Sequence, residues 1–410
     1  SLAWDRPART GQGVTSHVLR IHLTPQMAEP GLSLRLAVAL DTSGSMEGEK
    51  LSHAKMACLE IVGMLRPEDR FSLATYSTQV RKQFENLAGG VTARTTAENQ
   101  LSTINAAGIT RTDLALEWIQ ANLPAEKDVT RVGILITDGK PTNPKGRELE
   151  DVSPVTALAG QMGESGVTLC TVGLGNAANF NTAFLAEIGS RGRGTYIYAE
   201  TPADLTPRLQ RRFLASQAVA VDDAKLTLAP LRPGAQINGC CRIRPEFIPF
   251  DLPVGGRESA IAIGALRRDI ATDILVEVQA PPPDFGEGTG SRPLVEAQIT
   301  AVGLPTPISS IAEINYTASV LEAQRQDRDV DGDRILWEIN ANAEELAQAF
   351  DPYQTGKLLG NIQQAAANAG HQDIAGQAAH QLDELYKTGE LDPAAVSRLL
   401  DMTRNRGETE

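Results

Sequence analysis

The sequence predicts a doubly wound α/β domain with a mainly parallel sheet, joined to a β-sandwich domain and a C-terminal α-helical region. Three observations predict it. A nearly continuous apolar run, LSLRLAVAL, ends at Asp41, as a strand covered on both faces should read. Strands and helices then alternate to about residue 216, the rhythm of a doubly wound sheet. Beyond it, short β-type stretches broken by Pro and Gly give way to long helical patterns.

A length of 410 residues exceeds what one core usually organises. Residues 1–32 carry an N-terminal strand, VTSHVLRIHL, assigned to the sandwich. Residues 33–216 form the α/β domain: after the first strand come the helix KLSHAKMACLEIVGML and the strand RFSLATYS. A helix near DLALEWIQANL, the strand RVGILITD, a helix near PVTALAGQM and the strand VTLCTVGLG continue the order. The helix FNTAFLAEIG, the strand TYIYAE and the helix DLTPRLQRRFLAS complete it. Residues 217–306, with AKLTLAPL, SAIAIGAL and DILVEVQA, read as an antiparallel sandwich into which the α/β domain is inserted. Residues 307–410 read as helical, beginning with SSIAEINYTASVLEAQRQ from Ser309.

Hydrophobic residues make up 41% and charged residues 22% of the chain, which excludes a mostly disordered protein. The net charge of -13 has the wrong sign for a phosphate-binding surface, so no nucleic acid partner is expected. No apolar run approaches the ~18 residues of a membrane span. The segment SLAWDRPART lacks the apolar core of a secretory leader. Cys58, Cys170, Cys240 and Cys241 show no zinc spacing and read as buried reduced thiols. The expected location is therefore cytoplasmic. Nothing in the sequence sets the oligomeric state.

The strongest chemical signal is Asp41-Thr42-Ser43-Gly44-Ser45, between the first strand and first helix of the α/β domain. Asp41, Ser43 and Ser45 alternate over a tight turn, so one carboxylate and two hydroxyls can converge above the sheet edge. Hard oxygen donors of this kind suit Mg2+, with Mn2+ as a substitute. Capping is the other reading, since Asp and Ser after a strand also accept the free N–H groups of the next helix.

The segment resembles the metal-ion-dependent adhesion site of von Willebrand factor A (VWA) domains, Asp-x-Ser-x-Ser at this junction. The resemblance implies two further loops. Gly108-Ile109-Thr110-Arg111-Thr112-Asp113-Leu114-Ala115-Leu116 resembles the family's threonine loop, and Ile136-Thr137-Asp138-Gly139 stands where the family carries a distal aspartate. Thr110 lies six residues before Leu116, the family's usual spacing, and is preferred to Thr112 as ligand. By the same resemblance Ser43, Ser45 and Thr110 bind the ion directly, and Asp41 and Asp138 bind it directly or through water. It implies Mg2+, or Mn2+ or Ca2+, with an exchangeable position that an Asp or Glu of a protein partner fills. The function so implied is a metal-dependent protein–protein interaction module, a scaffold and not an enzyme. A regulatory or adaptor subunit of an ATPase-driven chelatase or remodelling complex is the alternative. A hydrolase with metal-activated water ranks last, because no general base stands nearby.

A second motif, Asp327-x-Asp329-x-Asp331-Gly332 with Glu338, matches the calcium-loop template, with Asp333 beside it. Calcium at Asp327, Asp329, Asp331, Asp333 and Glu338 is one expectation. The other is a solvated connection in which Asp333 caps the following helix.

Overall fold

A computed structural model of the chain describes residues 1–11, 13–25, 32–252, 259–284, 286–301, 304, 306–349 and 351–408. It divides into two compact units, one comprising Met27–Asp222 with Leu391–Asp401, the other Ser1–Gln26, Asp223–Glu390 and Met402–Glu410.

The first unit is built on a six-stranded sheet ordered Val80–Ala88, Arg70–Tyr76, Ser33–Asp41, Val129–Thr137, Val167–Leu174, Arg193–Ala199. Five strands are parallel, and Val80–Ala88 is an antiparallel edge. The sequence reading named neither that edge nor the helix Ala93–Ser102 after it. The edge strand is half-buried or exposed throughout and carries three charged residues, so it lacks the apolar run that marks the interior strands. Alternate residues of Ser33–Asp41 explain the packing. Leu34, Leu36, Val38 and Leu40 point to one face and join Ala54, Cys58 and Ile61 of the helix Glu49–Met64 and Leu205, Leu209 and Phe213 of Pro202–Gln217. Each large aliphatic so buried contributes about 1.5–3 kcal/mol. The other face carries Thr112–Asn122, which lies so close that a Cβ on Gly133 would stand 2.5 Å from Ile119 Cγ2.

From Ser33–Asp41 the chain first pairs outward with Arg70–Tyr76, then crosses to Val129–Thr137 on the opposite side. The carboxyl ends of Ser33–Asp41 and Val129–Thr137 therefore flank the topological switch point, where such sheets open a crevice. Residues 391–401 also return to this unit: Asp401 accepts from the Tyr198 N–H at 3.2 Å and from Arg208 Nη1 at 2.6 Å.

The second unit contains two five-stranded sheets. One runs Leu2–Trp4, Thr15–Leu23, Thr272–Ala280, Gln236–Arg244, Ile248–Pro249, and the other Ser259–Arg267, Val219–Pro230, Gly290–Thr300, Ile308–Tyr316, Ala8–Arg9. A face of the first sheet packs Val18, Cys241, Ile243 and Leu275 against Val330 and Leu336 of the helix Arg328–Leu346. The helices Pro352–Ala369 and Gln372–Thr388 follow. One expectation is corrected here. The stretch from Ser309 is not a helix: Ile308–Tyr316 is a strand paired antiparallel with Gly290–Thr300, and only Val320–Ala323 is helical. Ala312, Ile314 and Tyr316 are buried at a spacing of two, the period of a strand with one covered face. All four cysteines are buried, and burial pushes the Cys58 thiol up to about 12. Among the described residues no helix is long and apolar enough to cross a membrane.

Candidate metal centre

Asp41 is the last residue of its strand and is fully buried. Its Oδ1 accepts the Ser43 N–H at 2.7 Å, and its Oδ2 accepts from Thr137 Oγ1 at 2.7 Å. The second bond ties together the strand ends on either side of the switch point. The turn that follows does not cap a helix with its side chains. The N-cap of Glu49–Met64 is Gly48, which offers no side chain, and Ser43 makes no cap hydrogen bond to the short 3-10 turn Gly44–Met46. The capping alternative is therefore corrected: the serine hydroxyls turn to the crevice. Ser43 Oγ and Ser45 Oγ stand 3.1 Å apart, and Ser45 Oγ donates to Asp138 Oδ1 at 2.7 Å.

The threonine loop is fastened to the same turn by backbone. Gly44 N–H donates to Gly108 O at 3.2 Å, and Ala107 N–H to Thr42 O at 2.7 Å. Gly108 has φ +95°, and a Cβ there would meet Thr78 Oγ1 at 2.7 Å, so this position requires glycine. Thr110 is buried, its N–H donates to Thr142 Oγ1 at 3.1 Å, and its carbonyl accepts the Thr142 N–H at 2.8 Å. Thr112 instead opens the helix Thr112–Asn122. Gly139 leaves a gap: a Cβ on it would lie 3.2 Å from Thr110 Oγ1 and 3.8 Å from Ser45 Oγ. The structure thus brings Asp41, Ser43, Ser45, Thr110 and Asp138 to one crevice. Sequence reasoning missed Thr137, Gly139 and Lys50, whose Nζ donates to Asp138 Oδ2 at 2.5 Å and to Ser45 O at 3.2 Å. The spacing of Lys50 on its helix carried no signal that it would turn back over the motif.

Burial dominates the electrostatics of the crevice. Burial raises the Asp41 carboxyl to about 7 against the hydrogen bonds of Thr137 and Ser43, and the charge of Asp138 adds to the rise. Tyr76 is likewise pushed well above its ordinary value, by burial and then by the charge of Asp41. Among the described residues no Lys, Arg or His pairs with Asp41. Two buried carboxylates, three hydroxyls and a gap that a single Cβ would narrow fit a small hard cation. Among the described residues no group of three or more His, Cys, Asp or Glu is placed to hold a metal ion. The donors here are of a different kind, chiefly hydroxyl.

The calcium-loop expectation is corrected. Arg328–Leu346 is a continuous helix with Asp327 as its N-cap, accepting from the N–H groups of Asp329 and Val330. Helical backbone from the second position onward cannot wrap one ion with alternate side chains. Those side chains have other partners: Asp331 and Glu338 pair with Arg334, and Asp333 with Arg20 at 3.0 Å and Arg244 at 2.5 Å. Asp333 is buried inside the helix and does not cap it.

A doubly wound sheet with an oxygen-rich crevice at its switch point defines a class of α/β binding domain. Residues 36–212 match the von Willebrand factor type A domain family model, and the fold is that of such a domain. The chain is 25% identical over 282 residues to Uncharacterized protein sll0103 of Synechocystis, covering 68% of this chain and 65% of that protein. It is 31% identical over 171 residues to Uncharacterized protein YfbK of Escherichia coli, covering 40% of this chain and 28% of that one. Human inter-alpha-trypsin inhibitor heavy chain H1 is 27% identical over 191 residues, covering 44% of this chain and 20% of its own. The chain thus spans less than two thirds of the length of each of these relatives. Among solved structures, a von Willebrand factor type A protein from Catenulispora acidiphila superposes with a TM-score of 0.81 at 17% identity, covering 99% of this chain and 96% of the other. The ArnB paralog VWA2 from Sulfolobus acidocaldarius gives 0.61 at 16% identity, covering 100% and 98%. At these identities the likeness is one of fold. Domains of this type generally mediate protein–protein contacts.

Proposed function

We propose that the protein is a divalent-metal-dependent interaction module that binds an Asp or Glu of a protein partner at this crevice. Ser43, Ser45 and Thr110 would hold Mg2+ directly, with Asp41 and Asp138 supplying the negative charge. The bound ion supplies an electrophilic position that an incoming carboxylate can occupy. The observation that carries this reading is the convergence of two buried carboxylates and three hydroxyls at the switch point, around the gap kept by Gly139. The chain's own residues perform the rest. Thr137 and the Ser43 N–H fix the Asp41 carboxylate, and the paired backbones of Thr42 and Ala107 keep the threonine loop against the serine turn. Such a site also lets a chain of net charge -13 meet an acidic surface, because the ion brings the charge the surface lacks.

Isothermal titration with MgCl2 is the test. Wild type should bind one ion and Asp41→Ala none, and affinity capture should recover partners that a chelator releases. Equal Mg2+ binding by the two proteins would defeat the reading.

A further inference from the structure

The Lys50 ammonium reaches the candidate metal centre along a lane that the fold keeps clear. Lys50 is the second residue of Glu49–Met64, and its side chain is only 23% exposed. Gly175, just past the Val167–Leu174 strand, has φ +82°, and a Cβ there would come 3.1 Å from Lys50 Cε and 3.7 Å from Nζ. Its own N–H is held by Ala199 O at 2.8 Å and its carbonyl by the Tyr198 hydroxyl at 3.1 Å, so the backbone on that side of the lane is fixed. At the end of the lane, Nζ meets Asp138 Oδ2, while Ser45 Oγ takes Oδ1. Asp138 is thus met by a positive charge of the protein's own, whereas among the described residues Asp41 is met by neutral donors, the Ser43 N–H and the Thr137 hydroxyl.

We propose that Lys50 is the resident counter-cation of this site, neutralising Asp138 in the metal-free protein and giving up that carboxylate when a divalent ion enters. The proposal rests on the reading of the crevice as a metal centre. Two physical facts give it a direction. A unit and a double positive charge a few ångströms apart repel strongly at any protein dielectric, so an ammonium left in place opposes the ion. A lysine also makes a single point contact on a flexible stem and can swing away, which a bidentate arginine fork would resist. Lys50 therefore lowers the affinity for metal while holding the empty crevice together, and the ion and the ammonium exchange for one carboxylate.

Lys50→Met in the full chain should bind Mg2+ roughly tenfold or more tightly than wild type by titration calorimetry, and should melt at a lower temperature in chelator, with the difference closing as MgCl2 is added. Lys50→Arg should keep the stability of the chelated wild type. In wild type itself, acetylation of Lys50 followed by peptide mass spectrometry should accelerate several-fold on adding MgCl2, while the exposed Lys127 reacts at a constant rate; this readout needs no variant to fold. If wild type binds Mg2+ but Lys50→Met binds it equally or more weakly, or if Lys50 labelling is unmoved by Mg2+, the counter-cation role is wrong and the metal centre stands. If neither wild type nor Lys50→Met binds Mg2+, both ideas fall together.

Discussion

The two ends of the parallel sheet each bury an aspartate completely, and they treat it in opposite ways. Asp69, where the chain enters Arg70–Tyr76, accepts from Leu34 N–H at 3.0 Å, from Arg66 through N–H, Nε and Nη2 at 2.9 to 3.1 Å, and from Gln217 Nε2 at 2.7 Å. Burial alone would raise its carboxyl. The Arg66, Gln217 and Leu34 hydrogen bonds outweigh that, and it sits below its ordinary value. Asp41, at the carboxyl end of the neighbouring strand, has two neutral donors and is raised to about 7. A buried carboxylate with every lone pair answered is part of the scaffold. One met by neutral donors alone keeps the raised value that burial gives it.

Removing the saturated carboxylate should cost most. Asp69→Ala strands Arg66 and a buried N–H and should lower unfolding free energy by about 3 kcal/mol, read from urea denaturation, without changing Mg2+ binding. If Asp69→Ala weakened Mg2+ as much as Asp41→Ala does, the division of labour between the two ends would dissolve. Its pH dependence sharpens the point. A carboxyl depressed in the folded state contributes stability that is whole above its unfolded-state value near 3.8 and is lost as pH falls through the lower folded-state value. The gap in urea midpoint between wild type and Asp69→Asn should therefore be level near neutrality and shrink on acidification below about pH 4.

Next in size is Asp333, the buried carboxylate beside the calcium template. Asp333→Ala leaves Arg20 and Arg244 without that partner and should cost about 2 kcal/mol, and millimolar CaCl2 should leave the melting of the second unit unchanged. A calcium-dependent rise in that transition would reinstate the loop. The smallest expected effect on stability comes from Gly139→Ala, under about 1 kcal/mol. Its new Cβ would nevertheless crowd Thr110 Oγ1 at 3.2 Å, so Mg2+ affinity should fall several-fold. An unchanged affinity would show that the gap beside Asp138 plays no part in the site.

The contrast between the two acidic motifs shows how far local sequence reaches. Asp41-x-Ser-x-Ser and Asp327-x-Asp-x-Asp-Gly are both strings of alternating oxygen donors. The first sits after a strand buried from Leu36 to Asp41, so the turn must break there and its side chains project from the sheet end. The second contains Val330 and is followed by Leu336 and Ile339, which bury one face of a helix and draw the acidic positions into it. The stretch from Ser309 went astray for a related reason. Short apolar runs fit both periods, and only pairing with Gly290–Thr300 selected the strand.

By itself the sequence determined the doubly wound order, because continuous apolar runs alternating with amphipathic ones can bury their surfaces in few other ways. It also placed five oxygen-bearing residues at a strand end or in loops that such a sheet gathers on one side. Only the tertiary structure decided which carboxylates are answered and which are left wanting, which glycines keep space open, and that Lys50 lies across the crevice. Those properties depend on distances between residues far apart in the chain, such as Asp138 and Lys50 or Asp41 and Thr137, and no local pattern encodes them.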